Sequence, residues 1–109
     1  MSRPTRQTLT AGSTPSVAVD VNRPYFVMSV AAIVTGTVDY TVEHTFDDIW
    51  EEGWDPSTAV WFPHDEANLV GATTSQTGNF MAPPTAVRCT LNSGDGSVEF
   101  VTIQQGVGA

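Results

Sequence analysis

The residue types that could do chemistry are concentrated in one acidic and aromatic segment, residues 43 to 66. Eight of the twelve acidic residues of the chain lie there, and no lysine or arginine accompanies them. Calcium binding is the first hypothesis, because hard cations prefer several carboxylate oxygens. The EF-hand spacing is absent, however, and the adjacent Asp47 and Asp48 would point to opposite faces of a strand. The segment is therefore predicted to be a solvated loop, or a loop that meets basic groups of a partner.

His44 and His64 are the only imidazoles in the chain. The triplet His64-Asp65-Glu66 is a weak signal for a metal cluster or a proton relay, and His44 fits a partly buried, hydrogen-bonded histidine better than a ligand. No nucleophile elbow, Gly-rich phosphate loop or zinc-protease pattern occurs, although spacing alone does not exclude paired carboxylates for glycoside chemistry. We therefore predict no catalytic, cofactor-binding or metal-binding residue, and a protein that is not an enzyme.

Three tryptophans lie close together in the acidic segment: Trp50, Trp54 and Trp61. Tryptophan is enriched at the energetic centres of protein interfaces. Trp61 is expected in a strand that caps the core, whereas Trp50 and Trp54 are predicted to mark a partner-binding surface. Tryptophans beside carboxylates also suit sugars, so a carbohydrate-binding module is an alternative.

The charge of the chain is strongly negative, with twelve acidic residues, four arginines, no lysine and a formal net charge of −8 at pH 7. Phosphate contacts require basic side chains, so this balance disfavours nucleic acid and anionic membranes as partners. Arg3 and Arg6 form a basic tip on an acidic body, which favours head-to-tail contact and a homo-oligomer. We expect no secretory signal and a location in the cytoplasm or in an assembly formed there. The single cysteine, Cys89, is expected as a buried thiol in a strand.

The chain is predicted to divide into three parts. Residues 1–15 carry turn-forming and small polar residues without periodicity, which indicates an extended N-terminal arm. Residues 16–105 are predicted to form a single β domain, and residues 106–109 a loose C-terminal tail. An extended arm can add a strand to a neighbour's sheet edge. The arm residues predicted to bind partners in this way are Arg3, Arg6 and Leu9.

Short alternating segments with frequent turn signals predict an all-β fold, namely a small antiparallel β-sandwich or a jelly-roll-like barrel. The predicted strands are residues 17–21, 25–34, 37–45, 59–62, 75–80, 85–91 and 97–105. The clearest alternation places one set of side chains on one face, Val38, Tyr40, Val42 and His44. The other face is expected to carry Thr37, Asp39, Thr41, Glu43 and Thr45.

Two pairs of these strands are predicted to be hairpins. The first covers residues 25–45 and turns at Thr35-Gly36-Thr37, and its continuous apolar run at 25–34 is expected to be covered on both faces. The second joins residues 85–91 to residues 97–105 through a five-residue, glycine-containing loop at 92–96.

Parts of the sequence resemble small virion proteins of tailed bacteriophages. Residues 36–48 read GTVDYTVEHTFDD, and residues 83–88, PPTAVR, are followed by SGDGSV at 93–98 and by IQ at 103–104. The likeness spans about residues 17–105. It implies a non-enzymatic particle component and supplies no catalytic residue.

The resemblance leads to one functional expectation with an alternative inside the same particle. We expect a capsid decoration or cement protein that binds the major capsid protein or neighbouring virion proteins, located in a virion assembled in the host cytoplasm. A low-copy neck or tail component is the alternative. A cement protein must bind a symmetric lattice through many repeated contacts, and multivalency strengthens such binding.

Overall fold

The computed structural model describes residues 5–10, 16–18, 27–80 and 84–105. Their secondary structure is almost entirely β, which confirms the predicted fold class. The strands are β1 (Thr5–Leu9), β2 (Ser16–Ala18), β3 (Val27–Thr35), β4 (Asp39–Thr45), β5 (Trp61–Pro63), β6 (Gln76–Phe80), β7 (Ala86–Ser93) and β8 (Ser97–Gln105). One 3₁₀ turn at Ala67–Leu69 lies between β5 and β6.

The eight strands form two four-stranded sheets with the orders β1-β8-β3-β6 and β2-β7-β4-β5. All the strand pairings are antiparallel. The first strand pairs with the last, the second with the seventh, the third with the sixth and the fourth with the fifth. This nested order is the winding of a jelly roll, in which one long antiparallel ribbon wraps around a core.

Both predicted hairpins are wrong in the same way, because each connection carries the chain from one sheet to the other. Strand β3 lies between β8 and β6, whereas β4 lies between β7 and β5. The two connections run side by side, since Thr35 faces Ser97 in one sheet and Asp39 faces Ser93 in the other. The ribbon of four strands is therefore bent across the sandwich at one place.

Glycine makes this bend possible because the two backbones touch. The amide of Gly96 donates a 2.9 Å hydrogen bond to the carbonyl of Thr37. A Cβ on Gly94 would lie 2.3 Å from the same carbonyl oxygen, and a Cβ on Gly96 would lie 2.3 Å from the carbonyl oxygen of Thr35. Gly94 also has a φ of +108°, which residues with side chains rarely adopt. A residue with a side chain would force the two segments apart.

The core lies between the sheets and receives alternate side chains from each strand. The predicted inner face of β4 is confirmed, because Val38, Tyr40, Val42 and His44 are all buried. Buried side chains from the other strands complete the core, chiefly Leu9, Met28, Val30, Phe80, Val87, Cys89, Val98 and Phe100, together with Leu69 of the 3₁₀ turn. Cys89 lies in β7 as a buried thiol, as predicted.

Burial on the outer faces of the sheets differs from the prediction at two places. Strand β3 was expected to be covered on both faces, but Ser29 is exposed and Ile33 is 46% exposed. The reason is that the described part of the chain forms two layers, so that each sheet buries one face. Thr45 was expected on the outer face of β4 but is buried. Its hydroxyl donates to the carbonyl of Val60 and accepts from the amide of Asp47, so the following loop covers it.

The N-terminal region is described at residues 5–10 and forms an edge strand of this chain's own sandwich. Strand β1 pairs with β8 from Thr5 opposite Thr102 to Leu9 opposite Val98. Residues 11–15 and the predicted tail at residues 106–109 lie outside the described residues.

Replacing Gly94 with alanine is expected to destabilise the fold more than the same change at Gly53. Both glycines have positive φ, which costs a non-glycine residue about 1–2 kcal/mol. A Cβ at Gly53 meets no atom within 4 Å, whereas a Cβ at Gly94 meets backbone. Gly53→Ala should therefore lose about 1 kcal/mol and Gly94→Ala at least about twice that in urea unfolding followed by tryptophan fluorescence. Equal losses would show that the bend does not require the close approach.

Candidate functional site

The acidic loop between β4 and β5 uses several of its carboxylates to hold its own turns. Asp48 accepts a hydrogen bond from the amide of Trp50, and Asp55 accepts from the amide and hydroxyl of Ser57. Those bonds to Ser57 hold the pKa of the Asp55 carboxyl below its usual range, because they favour the charged form. Asp47 accepts from the amide of Val60 at 3.3 Å. Aspartates that bond to nearby backbone in this way stabilise turns.

The three tryptophans have three different environments and do not form one platform. Trp50 is 78% exposed in the acidic loop. Trp54 is half-buried, and its indole N–H points to Asp47 Oδ2 at a long 3.5 Å. Trp61 lies in β5, donates to the carbonyl of Pro56 and carries the Arg88 guanidinium 4.1 Å above its ring.

Three residues of the N-terminal region were predicted to bind partners: Arg3, Arg6 and Leu9. Arg6 is exposed and forms a 2.6 Å ion pair with Glu99 on the adjacent strand β8. Leu9 is fully buried in the core of its own chain, so the prediction that its side chain contacts a partner is corrected. Its buried position follows from the pairing of β1 with β8, which turns Leu9 towards the core. Arg3 lies outside the described residues.

A groove opens at the end of the sandwich where β4 and β6 finish, and we call it the aromatic groove. Its volume is about 320 Å³. The lining residues are His44, Phe46, His64, Asp65, Glu66, Asn79 and Phe80. Phe62 of β5 flanks the groove, because its ring lies 6.0 Å from both His44 and Phe46.

The rings of the aromatic groove pack edge to face around His44. Its imidazole lies 5.4 Å from Phe46 and 5.3 Å from Phe80, both in T-shaped arrangements. Two of the phenylalanines also remain open to solvent, Phe46 at 59% and Phe62 at 45%. The groove therefore has a packed floor and an apolar rim that no described residue covers.

His44 is the least satisfied polar group in the groove. It is 8% exposed, and its Nδ1 atom is buried without a hydrogen-bond partner among the residues that the structure describes. Burial lowers the pKa of His44, and the neighbouring His64 lowers it further, while Asp65 opposes both by favouring the charged ring. Buried polar atoms without partners are uncommon in folded proteins and are costly.

The backbone fixes the tautomer of His64. Its Nδ1 accepts a 3.0 Å hydrogen bond from the amide of Glu66, so its Nε2 carries the proton that is donated to the carbonyl of Asn79 at 2.9 Å. Both ring nitrogens are therefore occupied, which leaves His64 no lone pair for a metal ion.

His64 and Asn68 also close the open edge of β6. Strand β6 is the last strand of its sheet, and alternate residues of such a strand turn their backbone groups away from the sheet. The carbonyl of Thr77 accepts from the Asn68 side chain at 3.2 Å, as the carbonyl of Asn79 does from His64. Unpaired edge groups invite pairing with another chain, and these side chains occupy them.

Two buried groups in the core could ionise but are held neutral. Burial raises the pKa of Tyr40 and of Cys89 to about 12 each, with a smaller contribution from Cys89 to Tyr40 and from Glu43 to Cys89. The Tyr40 hydroxyl donates a 2.7 Å hydrogen bond to the carbonyl of Thr74, which ties the segment after the 3₁₀ turn to β4. Neither group is placed to act as a nucleophile.

Comparison with known proteins gives no relative, since no protein-family model matches the chain and no curated protein sequence matches it significantly. Among residues 5–10, 16–18, 27–80 and 84–105, no three histidine, cysteine or acidic side chains come together as a metal-binding group. The same part of the chain contains no helix long and apolar enough to cross a membrane.

Sequence reasoning found the histidines of the site but not the groove. His44 was predicted to be a partly buried, hydrogen-bonded histidine. It is buried on the predicted face of β4, but its Nδ1 atom has no hydrogen-bond partner among the described residues, which corrects that part of the prediction. Phe46, Phe62 and Phe80 were missed, although each lies at or beside the end of a strand. The sequence did contain an indication of the groove, because apolar residues directly after or at the end of strands often close the end of a β-sandwich.

The buried position of His44 predicts that the protein loses stability as the pH falls. The pKa of His44 is lowered in the folded state, so the unfolded chain binds more protons below about pH 6.5. The stabilisation is present above that pH and is lost as the pH falls through the folded-state pKa. We expect a lower free energy of unfolding at pH 5 than at pH 7.5 in urea titrations, and a smaller difference for His44→Phe. An unchanged pH dependence in that variant would contradict this assignment.

Asn68→Ala is expected to increase self-association with little effect on stability. The variant loses the hydrogen bond to the Thr77 carbonyl and so opens the β6 edge. Asn92→Ala is the matched control, because Asn92 is also exposed but bonds to the side chains of Asp39 and Thr41. Each variant should lose about 1 kcal/mol or less in urea unfolding, and only Asn68→Ala should raise light scattering with concentration. Equal scattering would show that Asn68 does not protect the edge.

Proposed function

We propose that this chain is a non-enzymatic structural protein of a tailed-phage virion and that it decorates or cements the capsid by binding the major capsid protein. The observation that carries the proposal is an exposed aromatic surface on an otherwise acidic, soluble sandwich. Four large apolar side chains within residues 46–62 are exposed, namely Phe46, Trp50, Val60 and Phe62, at 59%, 78%, 57% and 45%.

Two of these side chains, Phe46 and Phe62, are neighbours. Phe46 and Phe62 are in ring contact, and Val60 is tied to the start of the loop through the Asp47 carboxylate. Monomeric soluble proteins rarely expose large contiguous apolar patches, and such patches commonly mark interaction sites. Trp50 on the same loop adds the residue type most enriched at the centres of interfaces.

The fold is compatible with this role but does not select it. Jelly rolls occur in viral capsid and lectin domains as well as in enzymes, so the surface must carry the argument. The stacking platform for a sugar is not supported, because Trp61 is covered by Arg88 and Trp54 is half-buried. A protein partner suits a single exposed tryptophan together with a pair of exposed phenylalanines better than a sugar does.

The copy number in purified particles distinguishes the capsid from the neck or tail. Quantitative mass spectrometry should give hundreds of copies of this chain per particle if it covers the capsid lattice. About a dozen copies would move the proposal to a ring in the neck or tail, and absence from particles would overturn the virion role.

Loss of the aromatic surface is expected to weaken binding to capsids that lack this chain. Phe62→Ser should reduce the bound fraction at least tenfold in sedimentation with such capsids, because a buried aromatic anchor is worth 2 kcal/mol or more, on the order of a thirtyfold change. Ile33→Ser is the control, since Ile33 is equally exposed, at 46%, but lies on the other sheet. Equal loss in both variants would show that this surface is not the one that binds.

A further inference from the structure

We infer that the aromatic groove is the docking site for a basic segment of the partner protein, which places an apolar side chain against Phe46 and a lysine or arginine against Asp65 and Glu66. This inference rests on the proposed function, in that the chain binds a protein, and it adds the chemistry of the segment that is bound.

The size of the groove suits a side chain rather than a whole element of structure. Its volume of about 320 Å³ corresponds to roughly ten water molecules at the volume each has in the liquid. A cavity of about 150 Å³ takes one benzene ring, so the groove has room for an apolar side chain and a second side chain beside it. The rings of Phe46 and Phe80 provide apolar walls, and the exposed Phe62 extends the wall beyond the groove.

The charge of the groove favours a cationic occupant. Asp65 and Glu66 line it, both are exposed, and neither carboxylate is in an ion pair within the described part of the chain. The arginines of the described residues, Arg6 and Arg88, are each already paired with a glutamate. The faces of the phenylalanine rings also attract cations, so the aromatic and acidic walls favour the same kind of side chain.

His44 forms part of the floor of the groove. It lines the groove, is more than nine-tenths buried, and packs its ring against Phe46 and Phe80. Its Nδ1 atom has no hydrogen-bond partner among the described residues, but it is closed to solvent and lies out of reach of a docked segment. The groove therefore lacks apolar cover and a cation from the described residues, and a basic segment with an apolar anchor supplies both.

Other occupants fit less well. An acidic segment or a nucleic acid would be repelled by Asp65 and Glu66. A metal ion would need nitrogen or oxygen ligands, and both ring nitrogens of His64 are already bonded to the backbone.

The inference is tested with a library of immobilised, end-capped pentapeptides in which the three central positions contain all twenty residues. The purified full-length chain, fluorescently labelled, is the probe. Bound peptides should be enriched at least fivefold in arginine or lysine next to leucine, phenylalanine or tryptophan, relative to peptides with glutamate in place of the basic residue. No enrichment, or enrichment of acidic peptides, would overturn the inference.

Calorimetry with variants of the chain then shows where on its surface the best peptide binds. Phe46→Ser should weaken its affinity at least tenfold, and the double variant Asp65→Asn, Glu66→Gln at least fivefold. The double variant Glu51→Gln, Glu52→Gln is the matched control, because it removes the same charge from exposed loop residues that do not line the groove. Its affinity should change less than twofold. Equal weakening by both double variants would show that net charge alone, rather than the groove, holds the peptide.

The outcome for the groove is separate from the outcome for the virion role. Particle copy number and capsid sedimentation test the proposed function without using a peptide. If the chain binds capsids while the library shows no basic, apolar preference, the groove inference fails and the proposed function stands. If the library gives the expected preference and the chain is absent from particles, the groove is a docking site in another setting and the virion role fails.

Discussion

The whole sandwich depends on one close approach of two backbone segments, where Gly94 and Gly96 lie against the turn that follows β3. The β3–β4 and β7–β8 connections both pass through this place, and the Gly96 amide is bonded to the Thr37 carbonyl. Because the strands on either side of the bend are paired with each other, the bend sets the order of both sheets at once. It places β3 beside β8 in one sheet and β4 beside β7 in the other. The geometry of the aromatic groove depends on this arrangement, because its walls come from β4 in one sheet and β6 in the other.

The strands and their buried faces were predictable because both depend on local pattern. The alternation at residues 37–45 correctly gave the buried set on β4, and the bounds of β8 were predicted as residues 97–105. The partners of the strands were not predictable. A turn with glycine between two alternating segments looks the same in sequence whether it closes a hairpin or carries the chain to the opposite sheet. What distinguishes the two cases is contact between Gly36 and Gly96, which are sixty residues apart (96 − 36).

The candidate site was less predictable than the fold, because its parts come from three separate stretches of the chain, at residues 44–46, 62–66 and 79–80. Nothing in the sequence around Phe80 indicates that its ring will meet His44 and His64. The acidic residues show the same difficulty. Asp47, Asp48 and Glu66 belong to one acidic segment in the sequence, but the first two accept hydrogen bonds from the loop's own donors and Glu66 lines the groove. Local composition predicted the charge of the segment but not which carboxylates remain free.

Some carboxylates are bonded within the chain and others are not. For this reason a highly acidic chain can bind a partner at one particular surface instead of attracting cations equally everywhere. The aspartates of the β4–β5 loop fix its turns, and the Glu43 carboxylate is held on the outer face of the sheet by Arg88 at 2.8 Å and Thr90 at 2.6 Å. These acids are already engaged, so a partner gains little by approaching them. Among the described residues the carboxylates of Asp65 and Glu66, like those of Glu51 and Glu52, have no ion-pair partner, but only Asp65 and Glu66 line the aromatic groove beside the exposed ring of Phe46. A partner's cation is therefore attracted broadly by the net charge, while the groove determines where on the sandwich it can also bury an apolar side chain.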